Sequence, residues 1–225
     1  MDPYVAAKLA HLLLFAYWLG GDVGVFYSAT FLRKRELSIE ARQTALRILG
    51  WVDMIPRYCL VLMLPIGYWL AGSLGAVQLR PGWIGVTFAL AVAWLALVTA
   101  VHRLQGTLLG ERLRKVDLAW RFIIVPGLIW DAVQGFRGVG HLLTPWLSAK
   151  VLVYALCIAC GIGIRMVGRP MAPALRQIFT TGSTPDLEAL VVRTQARTRP
   201  IVLCIWGLLI LAAYFGIAKP SFGLS

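Results

Sequence analysis

Residues 5–31 read VAAKLAHLLLFAYWLGGDVGVFYSATF, an apolar run broken only by Lys8 near its start and by His11 and Asp22 inside it. About 20 such residues are enough for a helix to cross the hydrocarbon core of a bilayer, so the stretch predicts a membrane span. It is not expected to be a signal peptide, because no basic segment precedes it and it is too long for that purpose. The composition says the same of the whole chain. Of 225 residues, 59% are hydrophobic and 14% charged, and the mean hydropathy is +0.75. Soluble domains are roughly 45–50% apolar and about 25% charged.

Further spans are expected at residues 52–71, 83–101, 117–136, 145–166 and 200–218. The fourth, DLAWRFIIVPGLIWDAVQGF, is the least apolar; Arg121, Pro126 and Asp131 mark it as kinked or partly re-entrant. The expected fold is an all-α integral membrane protein: one domain over residues 1–225, with about six helices in a bundle. Lys and Arg number 22 against 10 acidic residues, a net charge of +12. The excess falls in alternate connections. One set holds Arg33, Lys34, Arg35, Arg42 and Arg47; then Arg103, Arg112, Arg114 and Lys115; then Arg165, Arg169, Arg176, Arg193, Arg197 and Arg199. The other holds Lys8, Arg80, Arg137 and Lys219. The positive-inside rule places the first set in the cytoplasm, which puts both termini on the periplasmic side of a bacterial inner membrane. Topology thus accounts for the charge, and nucleic acid is not an expected partner.

Two cytoplasmic connections carry helix signals. Ser38 is placed to cap a short helix, IEARQTALRIL. Thr184, Pro185 and Asp186 form a helix start. The sequence that follows, LEALVVRTQARTR, is expected to lie along the headgroups as an amphipathic helix within a linker over residues 167–199.

Ionisable groups inside a bilayer cost roughly 2.5–3.5 kcal/mol each on insertion scales and therefore need a reason. Depth along the spans sorts them into two layers. His11, Lys150 and Asp131 fall in an outer layer, with Arg137 and His141 just beyond it on the loop RGVGHLLTP. Asp22 and Arg57 fall in an inner layer flanked by Asp53 and Arg121. Asp22 is expected to pair with Arg57 and lock two helices together, since an unpaired buried charge is far more costly than a paired one.

Cys59, Cys157, Cys160 and Cys204 all lie in apolar runs, which argues against a secreted disulfide framework. The C-x-x-C spacing of Cys157 and Cys160 places both on one helical face among small residues and is read as packing. Met54, Met63, Met166 and Met171 are scattered rather than clustered as soft copper ligands would be. No phosphate-binding loop, dinucleotide fingerprint, zinc-protease motif or nucleophile elbow is present.

Three segments resemble the HemJ family. The first span has Lys8-x-x-His11, then Trp18, glycines and Phe26-Tyr27. The second has Ile55-Pro56 and ends Gly67-Tyr68-Trp69-Leu70, and the fifth has Trp146-Leu147-Ser148-Ala149-Lys150, similar to a W-L-x-x-K motif. CopD-type copper-resistance membrane proteins share the same helix pattern. Residues 83–136 add two spans that HemJ proteins lack, and the run ACGIGIRM stands where they carry Tyr-His. The resemblance implies a b-type haem associated with His11 and a functional role for Lys150. His141 is a candidate second ligand, and Lys150 or Arg137 a partner for the haem propionates. The expected function is therefore a membrane redox protein with haem near the outer face, engaged in electron transfer or HemJ-like porphyrinogen oxidation, with quinone or a redox subunit as partner. Transport of copper or another small solute, and anchoring of a larger complex, are the alternatives.

Overall fold

The computed structural model describes residues 2–223, and among them helices supply all the regular secondary structure apart from one isolated bridge. The helices are α1 (Pro3–Phe31), α2 (Ile39–Val52), α3 (Met54–Ser73), α4 (Trp83–Arg103), α5 (Leu108–Phe136), α6 (Pro145–Val167), α7 (Met171–Thr181) and α8 (Pro185–Ala218). Short polar residues set several of the starts. The side chains of Asp2, Ser38, Thr107 and Thr184 accept from the backbone N–H of Tyr4, Ala41, Gly110 and Leu187, satisfying amides that the helix itself leaves open.

Five helical stretches are long and apolar enough to cross a membrane: α1, α2 with α3, α4, α6 with α7, and α8. Helix α5 is not among them, because Glu111, Arg112, Arg114, Lys115, Asp117, Arg121 and Asp131 dilute its apolar face. It nevertheless packs as one leg of the bundle. Six long helices form a closed ring in which α1 touches α3, then come α4, α5, α6 and α8, and α8 returns to α1. Large apolar side chains on the outside of this ring stay exposed, among them Leu12, Tyr17, Val92, Ile123, Leu203 and Ile217. Such a surface suits lipid and would be an aggregation hazard in water.

Side-chain contacts fix the direction of each leg. His11 lies beside Gly67, Gly21 beside Pro56 and Gly24 beside Val52, so α1 and α3 run antiparallel. The loops after α3 and α5 are tied together by a bridge between Val77 and Leu142, with Gln78 N–H donating to His141 C=O at 2.8 Å and Leu143 N–H to Ala76 C=O at 2.9 Å. Gly216 of α8 sits against Lys150, in the second turn of α6. Helix α1 therefore begins, and α8 ends, at the end of the bundle that carries these two loops. The opposite, basic end carries α2 and α7.

Helix α6 is the most deeply packed. Tyr154 donates its hydroxyl to the Leu60 carbonyl at 2.7 Å, and its ring meets Trp18 edge-on at 6.4 Å. Cys157 and Ile158 are buried in the same core, and all four cysteines are free thiols.

The basic end departs from expectation in two ways. Residues 171–181 form α7, a helix the sequence reading placed in an undivided linker. Its Ala174, Leu175 and Ile178 join Leu32 and Val191 in a second small core. The segment 187–199 does not lie flat as a separate amphipathic helix. It is the first half of the 34-residue α8, which runs unbroken through Pro200 into the last span. At 1.5 Å per residue α8 is about 51 Å long, well beyond the ~30 Å hydrocarbon core. Its first turns stand outside the span, clasped to α2. There Arg42 donates through Nη1 and Nη2 to the Glu188 carboxylate at 2.7 and 3.1 Å, and also to the Leu32 carbonyl. Ser183 gives Glu188 a further hydrogen bond at 2.7 Å.

Candidate functional site

The loop end of the bundle gathers most of the outer-layer residues. Helix α1 carries His11 in its third turn, facing α3 where Gly67 offers no side chain. A methyl group added at Gly67 would stand 3.5 Å from His11 Cε1 and 3.9 Å from Nδ1, so the ring rests close to bare backbone. Its Nδ1 is buried and has no hydrogen-bond partner. Two other buried atoms at this end, Gln134 Oε1 and Thr144 Oγ1, are also unpartnered. Buried polar atoms are nearly always satisfied in native proteins; among the described residues the other two without a partner are Trp120 Nε1 and Trp206 Nε1.

Next to Gly67, Tyr68 turns toward α5 and donates its hydroxyl to Asp131 at 3.0 Å. The other Asp131 oxygen lies 3.4 Å from Nδ1 of His141, whose ring centroid is 6.0 Å from that of Tyr68. Gly140, at φ +123°, makes the turn that delivers His141 to this position. The contact between Asp131 and His141 is at ion-pair distance and is not a hydrogen bond; it keeps a carboxylate beside one imidazole nitrogen and leaves the other free of it. The sequence placed Asp131 and His141 in this layer, but it did not link them and gave Tyr68 no role. The aromatic residue at the depth of Asp131 was the available signal.

Lys150 is at a similar height. From the contact between Trp18 and Tyr154, His11 is seven residues nearer the loop end on α1 and Lys150 four residues nearer on α6. The two levels thus differ by about 4–5 Å along the bundle axis. No hydrogen bond joins their side chains. Lys150 reaches toward α8, where a methyl group on Gly216 would lie 2.7 Å from Nζ, and it makes no hydrogen bond or ion pair among the described residues. Arg137, at the C-cap of α5, is exposed and also unpaired among the described residues.

The inner layer corrects one expectation. Arg57 pairs with Asp53, one helical turn before it, and not with Asp22. The i, i+4 spacing lets the two side chains meet without crossing between helices. Asp22 is half-buried and makes no ion pair among the described residues. Its neighbours Gly21 and Gly24 allow α1 to close on residues 52–56. A methyl group at Gly21 would come within 2.8 Å of Pro56 Cδ, and one at Gly24 within 3.1 Å of Val52 Cγ1.

The inner layer also holds a cluster centred on Asp117, which is fully buried. The Asp117 and Arg121 spacing was visible in the sequence, but the third partner, Arg165, comes from 48 residues away.

No group of three or more His, Cys, Asp or Glu side chains converges on a metal position among the described residues. A bare ion held by such groups would need several of them. Haem makes a smaller demand: the porphyrin brings its own equatorial nitrogens, and the protein adds one or two axial donors. His11, unpartnered beside a glycine, and His141, beside Asp131, have the chemistry for that role. No family model, curated protein or solved structure matches this chain.

Proposed function

We propose that this chain is a membrane redox protein that holds b-type haem at the loop end of the bundle and takes part in electron transfer or HemJ-like porphyrinogen oxidation. The supporting observation is the buried, unpartnered Nδ1 of His11 against Gly67. A buried imidazole nitrogen with no partner is unusual in a native protein, and ligation of iron by this ring would give a histidine at this depth a use. When bound, the haem would supply the one-electron chemistry. The protein's part is to supply and hold donors. His11 is carried on the body of α1 against Gly67, and His141 lies 3.4 Å from Asp131, to which Tyr68 donates a hydrogen bond. Lys150 brings a positive charge to the same depth, suited to a propionate or to an anionic substrate group. By the charge asymmetry, the loop end faces the periplasm of a bacterial inner membrane.

The deciding measurement is the visible absorption spectrum of protein purified in detergent after haem-replete expression. A Soret band is expected. It should be lost in His11→Ala and kept in His102→Ala, whose ring packs on Trp51 at the other end of the bundle, 5.3 Å between centroids. A wild-type protein with no band, or an unchanged band in His11→Ala, overturns the reading.

One observation favours transport of a small solute as the second reading: Asp22 is half-buried in α1 with no ionic partner. Uptake of copper into proteoliposomes, abolished in Asp22→Asn, together with absence of a Soret band, would select it.

A further inference from the structure

At the basic end, a polar cluster stands apart from the proposed haem site. The Asp117 carboxylate accepts from Trp94 Nε1 at 2.8 Å, Arg121 Nε at 3.2 Å and Arg165 Nη1 at 2.5 Å. The Arg121 guanidinium also lies 5.2 Å over the Trp94 ring. One carboxylate therefore faces two guanidiniums. Arg57 does not alter the balance, because Asp53 already neutralises it. The surplus positive charge is poorly solvated, since the Arg121 side chain is only 4% exposed. An uncompensated charge in such a place is strongly unfavourable. The remaining N–H donors of both guanidiniums have no acceptor among the described residues. The cluster is reached through Arg165, whose side chain is 24% exposed and which lies two residues before the end of α6.

We infer that Arg121 and Arg165 bind a phosphate-bearing anion, which would meet the more exposed Arg165 first. The donors left free are planar forks, which match phosphate oxygens pairwise. Asp117 and Trp94 hold these forks in place. The level fits as well, since basic pockets between helices at the cytoplasmic boundary are where anionic headgroups dock. The phosphate comes either from an anionic lipid headgroup or from free phosphate, and the two sources separate by experiment.

Detergent-solubilised protein is titrated with phosphatidylglycerol and with phosphatidylcholine, with bound lipid counted by native mass spectrometry. Inorganic phosphate is tested in parallel by its effect on Tm. Lipid as the source predicts one phosphatidylglycerol retained about tenfold more tightly than phosphatidylcholine. Free phosphate as the source predicts a rise in Tm with phosphate and no lipid preference. In either case Arg121→Gln and Arg165→Gln should abolish the effect, and Arg80→Gln, exposed at the loop end, should keep it. Arg165→Lys retains the charge beside Asp117 and decides the matter if the glutamine variants do not fold. Without the fork, its affinity should fall several-fold. Wild-type behaviour of Arg165→Lys and of any glutamine variant that folds overturns the inference, as does a wild-type protein with neither lipid preference nor phosphate response.

Discussion

Glu188 illustrates how much can depend on one side chain. It is only 1% exposed and sits on the part of α8 outside the span. Burial alone would raise its pKa; the hydrogen bonds from Arg42 and Ser183 outweigh that and hold it below the ordinary glutamate value of 4.5. A carboxyl held down in the fold contributes stability that is present above the unfolded pKa and lost as pH falls through the folded value. The clasp between α2 and α8 is therefore expected to persist at neutral pH and loosen in acid below about 4.5. The protection of α2 amides relative to their intrinsic exchange rates, lower at acid pH in the wild type and already low at neutral pH in Glu188→Gln, checks this. Removing only the cation is expected to be worse than removing both charges. Arg42→Ala should lose about 3–5 kcal/mol, whereas Arg42→Met with Glu188→Leu should recover much of it. Unfolding in mild detergent measures both. At the other end, Gly135 lies against Ser148, and a methyl group there would also come within 2.9 Å of Leu142 Cβ. Gly135→Ala should part α5 from α6 and cost about 1–3 kcal/mol, read as a lower Tm.

Among the elements, α8 departs furthest from its sequence pattern. Pro200 looks like the start of a span, because proline suits the first turn of a helix. Here it is interior to a helix that was already running from Pro185. The α7 and α2 packing around Val191 and Glu188 holds the first half in line, and the span holds the second. Pro200→Ala is thus expected to leave the fold unchanged and Tm equal or higher, since it restores a helix hydrogen bond. A drop in Tm would mean that the proline fixes a bend the protein needs. Three of the other spans were legible, whereas α5 begins nine residues before the expected 117 and is too polar to be read as a span from hydropathy. The expected boundaries at 5–31, 83–101 and 145–166 lie within two residues of α1, α4 and α6, because long apolar runs bounded by charge admit one solution in a bilayer. Helix α7 was not legible. Its apolar residues are few, and only their meeting with Leu32 and Val191 gives them a core to enter.

At the scale of the molecule, the ring of six legs brings the beginning of α1 and the end of α8 to the same end of the bundle. Helix α5 is the leg that its own hydropathy does not secure, and the parity of the chain depends on it. Reporters active only in the periplasm, fused at the C-terminus and in the loop over residues 137–144, are expected to be active in both positions, and one placed after α4 inactive. A C-terminus on the cytoplasmic side would mean that α5 does not cross.

Composition and hydrophobic period alone determined that this is a bundle of membrane helices, where the apolar runs of most of them lie, and which connections carry the positive charge. These follow from the demand that every backbone group in lipid be satisfied within its own helix, which is a local matter. Depth along each span even placed His11, Asp131, His141 and Lys150 near one level. Rotation about each helix axis is not local, and only tertiary packing decided it. It turned His11 onto Gly67, joined Tyr68 to Asp131 and His141, sent Lys150 toward Gly216, and matched Arg57 to Asp53 in place of Asp22. A side chain's partner depends on which neighbouring helix leaves room for it, and that is set by glycines and bulky residues far away along the chain.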